Sequence, residues 1–172
     1  MTDSLRAFIS LPVAPKVVRA IVKFQEGIKG ADVRWTPREQ IHLTLKFLGN
    51  ISSAEVERLK VALEGVMQPL RLRAEGVGGF PSRRQARVIW VGLTGDIDTL
   101  KALHAAVEEV VGQKENRPFR PHLTIGRARK PYRVGDWENL QFGEWEVREL
   151  QLMQSKLSPK GATHTVIARF EG

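Results

Sequence analysis

Two short segments of this 172-residue chain, His42-Leu43-Thr44-Leu45 and His122-Leu123-Thr124-Ile125, share a pattern suited to acid–base chemistry. Successive side chains of a β-strand alternate between faces, so His and Thr at i and i+2 project together while the Leu between them faces a core. An imidazole has an ordinary pKa near ~6.5, which lets one copy be neutral and the other protonated around neutral pH. Two such frames set face to face would hold one small anion between two imidazoles, with a threonine hydroxyl beside each to donate to a phosphoryl oxygen. Hydrolysis of a five-membered cyclic phosphate needs a base for water and an acid for the departing ribose oxygen, each worth about 10²–10⁴-fold. Imidazolium, hydroxyls and nearby cations can meet the developing charge without a metal. Chemistry alone leaves open which histidine is acid and which is base.

The rest of the composition narrows the field. Cysteine is absent, which removes disulfide scaffolds, thiol nucleophiles and Cys-ligated metal sites. Neither motif histidine has a carboxylate or third histidine at ligand spacing, so no metal and no cofactor is expected. Lys and Arg number 27 against 19 acids, for a net charge of +8 and a pI near 10.2, a balance that favours a polyanionic partner. Lys46, on the predicted face of His42, and Arg127, just past the second motif, are candidates to neutralise phosphate. Phe8, Trp35, Phe47, Phe80, Trp90 and Phe119 lie near the motifs, and Phe8 is taken as a substrate contact. Of the four histidines, His104 falls on a helix without a catalytic role, and His164 falls on a closing strand, between a structural and a substrate-facing role. No run approaches the ~18 apolar residues of a membrane span, and the N-terminus lacks a secretory pattern, so a cytoplasmic protein is expected.

The elements that must position these residues follow from periodicity. Arg6–Leu11 reads as a strand, and Val17, Ile21, Phe24 and Ile28 fall at helical spacing after Pro15. From Ile41 to Leu48 the sequence alternates, with Ile41, Leu43, Leu45 and Phe47 on one face and His42, Thr44 and Lys46 on the other. Ser52 and Glu55 form a capping box for a helix reaching about Met67, followed by a strand over 70–76. Gly78 to Gln85 reads as a loop before a strand over 87–93. A third helix runs from Asp96 or Asp98 to Gly112, and a strand over 119–126 carries the second motif. The segment 127–135 reads as a basic loop, and two strands over 147–156 and 164–170 close the chain. Phe8 precedes His42 by 34 residues and Ile89 precedes His122 by 33. That near-equality points to an internal duplication whose two-fold would bring the motifs face to face.

The segments WTPREQIHLTLKFLG and RPFRPHLTIGRAR are similar to the paired HxTx signatures of the 2H phosphoesterase superfamily. RAFISLP, FPSRRQARVIWVGL and LQLMQSKLSPKGATH extend the resemblance to its RNA 2′,3′-cyclic phosphodiesterase branch, once described as 2′-5′ RNA ligases. The resemblance implies an α+β fold of two pseudo-symmetric lobes, antiparallel sheets lining a central cleft and helices outside. It would form a single bilobal domain over 1–172 with halves 1–80 and 81–172, and strands over 147–170 crossing between lobes. It also implies that His42 gives a proton to the 3′ oxygen, that His122 takes one from water, and that Thr44 and Thr124 assist. The expected substrates are RNA ends or nucleotides bearing a 2′,3′-cyclic phosphate, hydrolysed to a 2′-phosphate by a monomer with no obligate protein partner and no membrane. The alternatives are 2′-5′ ligation at the same site and a non-catalytic RNA-binding module. One departure is visible: the family's late Gly-x-x-Tyr becomes Gly161-x-x-His164.

Overall fold

Pro15 fixes the backbone at the start of the first helix, and the aliphatic stripe behind it turns Val17 and Ile21 inward. The computed structural model describes residues 3–28 and 30–172. In chain order it contains β1 (Ser4–Leu11), α1 (Pro15–Gly27), β2 (Val33–Trp35), a 3-10 turn at Arg38–Gln40, β3 (Leu43–Ser52), α2 (Ser53–Ala62), β4 (Leu70–Phe80) and β5 (Ala86–Gly95). There follow α3 (Ile97–Val111), β6 (His122–Tyr132), β7 (Gln141–Val147), β8 (Glu149–Ser158) and β9 (Gly161–Glu171). Ser52 caps α2 by accepting a hydrogen bond from the Glu55 N–H at 3.1 Å. Gly112 ends α3 in the left-handed conformation, at φ 85°.

The strands form two antiparallel sheets, ordered β3-β1-β8-β9 and β2-β6-β5-β4-β7. The sheets are not the two halves of the chain: β2 and β4 join the second, while β8 and β9 return to flank β1 in the first. Without β2 the orders correspond strand for strand, β3 with β6 and β1 with β5. Register sharpens the duplication, because Ser10 pairs with Thr44 and Trp90 with Thr124, and each threonine follows its partner by 34 residues. A continuous apolar cluster, including Ile9, Leu43, Ile89 and Leu123, underlies both sheets. Among the described residues no helix is long and apolar enough to cross a membrane.

Several elements differ from the sequence expectation. Gly78 and Gly79 belong to β4, where the Trp90 ring and the Ala86 side chain occupy the space that side chains there would need. β6 runs on through Arg127 to Tyr132, where a loop is expected, because its far end pairs with β5 and β2. β7 has no counterpart in the expected pattern, and α2 stops at Ala62.

Candidate active site

His122 opens β6, His42 lies immediately before β3, and both are half-buried. β3 and β6 belong to different sheets but approach each other. Nδ1 of His122 lies 2.7 Å from the Arg120 carbonyl oxygen, and the backbone of Gln40 favours the charged form of His42. The His122 ring is thus held by the chain two residues upstream. A carbonyl oxygen only accepts, so Nδ1 of His122 carries a hydrogen, and it is the neutral form of such a ring that presents an Nε2 lone pair, the tautomer a general base needs.

Aromatic rings fix the imidazoles from behind. Phe8 stacks on His42 with centroids 4.9 Å apart and planes at 20°. The ring of His164, from β9, stands edge-on to both, 5.2 Å from His42 and 4.9 Å from Phe8. At the second motif Phe80 meets His122 at 5.1 Å and 87°, backed by Trp90 at 5.4 Å. Burial lowers the pKa of His42 to about 4, and the nearby charge of His164 adds to the effect, while the Gln40 backbone opposes it. Burial also lowers His164, whose Nδ1 has no hydrogen-bond partner among the described residues.

Both motifs carry a β-bulge at their fourth residue. The ladder steps from Ser10–Thr44 to Ile9–Lys46, leaving Leu45 unpaired, and from Trp90–Thr124 to Ile89–Gly126, leaving Ile125 unpaired. A bulge reverses the alternation beyond it. Thr44 and Thr124 therefore stay beside their histidines, half-buried, but the residues after them change face. Lys46, expected to contact phosphate, is instead 3% exposed and is ion-paired to Glu108 of α3 at 3.0 Å. Phe47, expected in the core, is 66% exposed and stands 6.3 Å from Phe8. Arg127, the corresponding residue after the second bulge, is exposed. Gln25 of α1 secures that second bulge, donating to the carbonyls of Ile125 at 2.9 Å and Thr36 at 3.0 Å.

Phe8 is also corrected: at 3% exposure, with His42 over its face, it supports the His42 ring and has no surface left for substrate. His104 is buried and stacks on Phe119 at 4.0 Å, which ties α3 to the segment leading into His122. Among the described residues no group of three or more His, Cys, Asp or Glu side chains is placed to hold a metal ion. The sequence reading missed the bulges, the Arg120 carbonyl at His122 and the contact of His164 with His42; the Gly161-x-x-His164 departure was its one pointer to the last.

A family model described as LigT-like phosphoesterase matches residues 11–90. An RNA 2′,3′-cyclic phosphodiesterase of Archaeoglobus fulgidus is 33% identical over 178 residues, covering 97% of this chain and 100% of that protein. Among solved structures, TT0787 of Thermus thermophilus is 30% identical with a TM-score of 0.80, covering 97% of both chains. Escherichia coli LigT, complexed with NADP+, superposes with a TM-score of 0.85 over 98% of both chains at 22% identity, a likeness of fold.

Proposed function

The chain belongs to the LigT-like phosphoesterases of the two-histidine superfamily, and from that membership we propose that it hydrolyses RNA-terminal 2′,3′-cyclic phosphate with His42 as acid and His122 as base. What supports this reading is the pair of His-x-Thr frames on two strands that approach each other from different sheets, with the His122 ring held at the Arg120 carbonyl. Nε2 of His122 takes a proton from water as the water oxygen attacks phosphorus. The bond from phosphorus to O3′ breaks, and His42 protonates O3′, leaving a 2′-phosphate and a free 3′-hydroxyl. Thr44 and Thr124 donate to the non-bridging oxygens, and Arg127 balances the charge that builds on them. Phe47 offers its exposed ring to the terminal base.

A His42 pKa of about 4 leaves this ring neutral in the empty cleft at neutral pH, although the proposed role needs it charged. The substrate supplies the difference. A phosphodiester anion about 4 Å away, at an effective dielectric near 20, favours the imidazolium by roughly 4 kcal/mol, or about three pKa units. That is enough to return His42 to the neutral range once substrate is bound.

The pH profile checks this. The acid limb of kcat/KM reports the free protein, so it should lie near pH 4. His164→Ala removes both packing and a repelling charge; each change raises the His42 pKa, so the limb should move to higher pH. An acid limb near 6.5 that His164→Ala leaves in place would count against the coupling.

The function itself is tested with adenosine 2′,3′-cyclic phosphate in excess chelator. Turnover should persist, and phosphorus NMR should show the 2′-phosphate as product. Chelator-sensitive turnover, or a 3′-phosphate product, would overturn the proposed reaction.

A further inference from the structure

Outside the cleft, a groove of about 570 Å³ runs between β2 with its following turn and the β8–β9 hairpin, and its walls include Arg34, Trp35, Arg127, Leu157 and Lys160. Its size falls within the range of small-ligand sites. Three cations line it, and none of its lining residues is acidic among those described. Arg129, two residues beyond Arg127, has Asp32 at 3.7 Å, whereas Arg34, Arg127 and Lys160 make no ion pair with a described residue. Trp35 adds a half-buried indole whose six-membered ring lies against Gly126, where a Cβ would come within 2.9 Å of it. Gly161, in the hairpin, gives similar room to the Arg34 guanidinium, 3.1 Å from where its Cβ would be. Cations around an indole form the combination that binds single-stranded nucleic acid through phosphate and base together.

The groove connects to both catalytic motifs. Its two walls are joined by the Gln40 side-chain amide, which donates to the Ala162 carbonyl. The backbone of Gln40 also favours the charged form of His42, and Ala162 is two residues from His164. On the other side the Thr36 N–H donates to the bulged Ile125 carbonyl at 2.9 Å. A ligand in the groove therefore lies next to the reacting phosphate and outside the space between the imidazoles.

We infer that this groove is a second subsite, taking the phosphodiester and base on the 5′ side of the terminal nucleoside, so that the enzyme prefers oligonucleotides to mononucleotides. The inference rests on the proposed reaction for the identity of the strand. A mononucleotide cyclic phosphate leaves Arg34, Trp35 and Lys160 unoccupied. An RNA end engages them, and its binding weakens with salt in proportion to the phosphates neutralised.

The test compares kcat/KM for a tetraribonucleotide ending in 2′,3′-cyclic phosphate with that for adenosine 2′,3′-cyclic phosphate, in the parent, Arg34→Ala, Lys160→Ala and the double variant. The ratio of oligonucleotide to mononucleotide should exceed ~10 in the parent and fall about 10-fold in the double variant, with a shallower salt dependence for the oligonucleotide. Anisotropy of a labelled tetranucleotide ending in 2′-phosphate reads the same subsite without catalysis. Weaker binding by the double variant supports the inference even if neither cyclic phosphate is hydrolysed, an outcome that removes only the reaction assigned above. An unchanged ratio with unchanged binding overturns the subsite. An equal loss on both substrates overturns it too, because the groove would then seat the terminal nucleoside itself. Both side chains are exposed, so matched thermal midpoints should show that the variants fold.

Discussion

His122→Ala and His42→Ala are each expected to lower kcat/KM for adenosine 2′,3′-cyclic phosphate by about 10²–10⁴-fold, the usual worth of a positioned acid or base. Neither substitution should unfold the protein, since both rings are half-buried at the cleft. The double variant should lose far less than the product of the two single losses. Without a base, water attacks too slowly for the acid to matter, and without an acid the leaving oxygen carries charge whichever group takes the water proton. Steady-state assays of all four proteins check this. Full activity in either single variant would remove that imidazole from the reaction, and fully multiplicative losses would show that the two groups act independently.

Lys46→Met should have the opposite profile, costing about 3 kcal/mol of stability with less than a ~3-fold change in kcat/KM of the folded protein. Nζ of Lys46 lies 3.0 Å from Oε2 of Glu108 and 3.8 Å from Oε1 of Glu115. The same Glu108 oxygen also accepts the Glu115 N–H at 2.9 Å. That N–H, and then Lys46, hold the Glu108 carboxyl below its ordinary pKa, so it stays ionised at neutral pH. Removing the ammonium strands a largely buried carboxylate, and breaking such a pair costs about 3–5 kcal/mol. The lower figure suits a glutamate that keeps 13% side-chain exposure and a backbone donor. Lys46→Met with Glu108→Gln should recover much of the loss in urea melts. A stable Lys46→Met protein with kcat/KM down 10-fold or more would return Lys46 to the phosphate.

Lys46 also shows where sequence reasoning stopped. Alternation over Ile41–Leu48 places it with His42, and the first four residues of that segment obey the pattern. The bulge at Leu45 then shifts the strand by one residue, turning Lys46 inward and Phe47 outward. A bulge is a property of two paired strands, so a single segment does not announce it. The same shift at Ile125 does no harm to the reading of Arg127, since that reading assigns it no face. Ser52 and Gly112 mark helix ends at the positions found, because capping is local chemistry. β2 has three residues and exists through the edge it adds to β6, too little to read as a pattern. The contact between His164 and His42 depends on β8 and β9 returning from the end of the chain to β1. The His-x-Thr pairs were legible because their function needs only a local geometry, repeated.

The proposed reaction requires the two imidazoles to hold one phosphorus centre between them. Its most direct measurement is a titration of the protein, with ¹⁵N-labelled histidine, by adenosine 2′-phosphate, following the side-chain nitrogens of His42 and His122. The His42 nitrogens should shift toward the imidazolium signature, because this ring starts neutral in the empty cleft, and the His122 nitrogens should respond with the same Kd. Two different dissociation constants, or a response from one ring alone, would contradict the account.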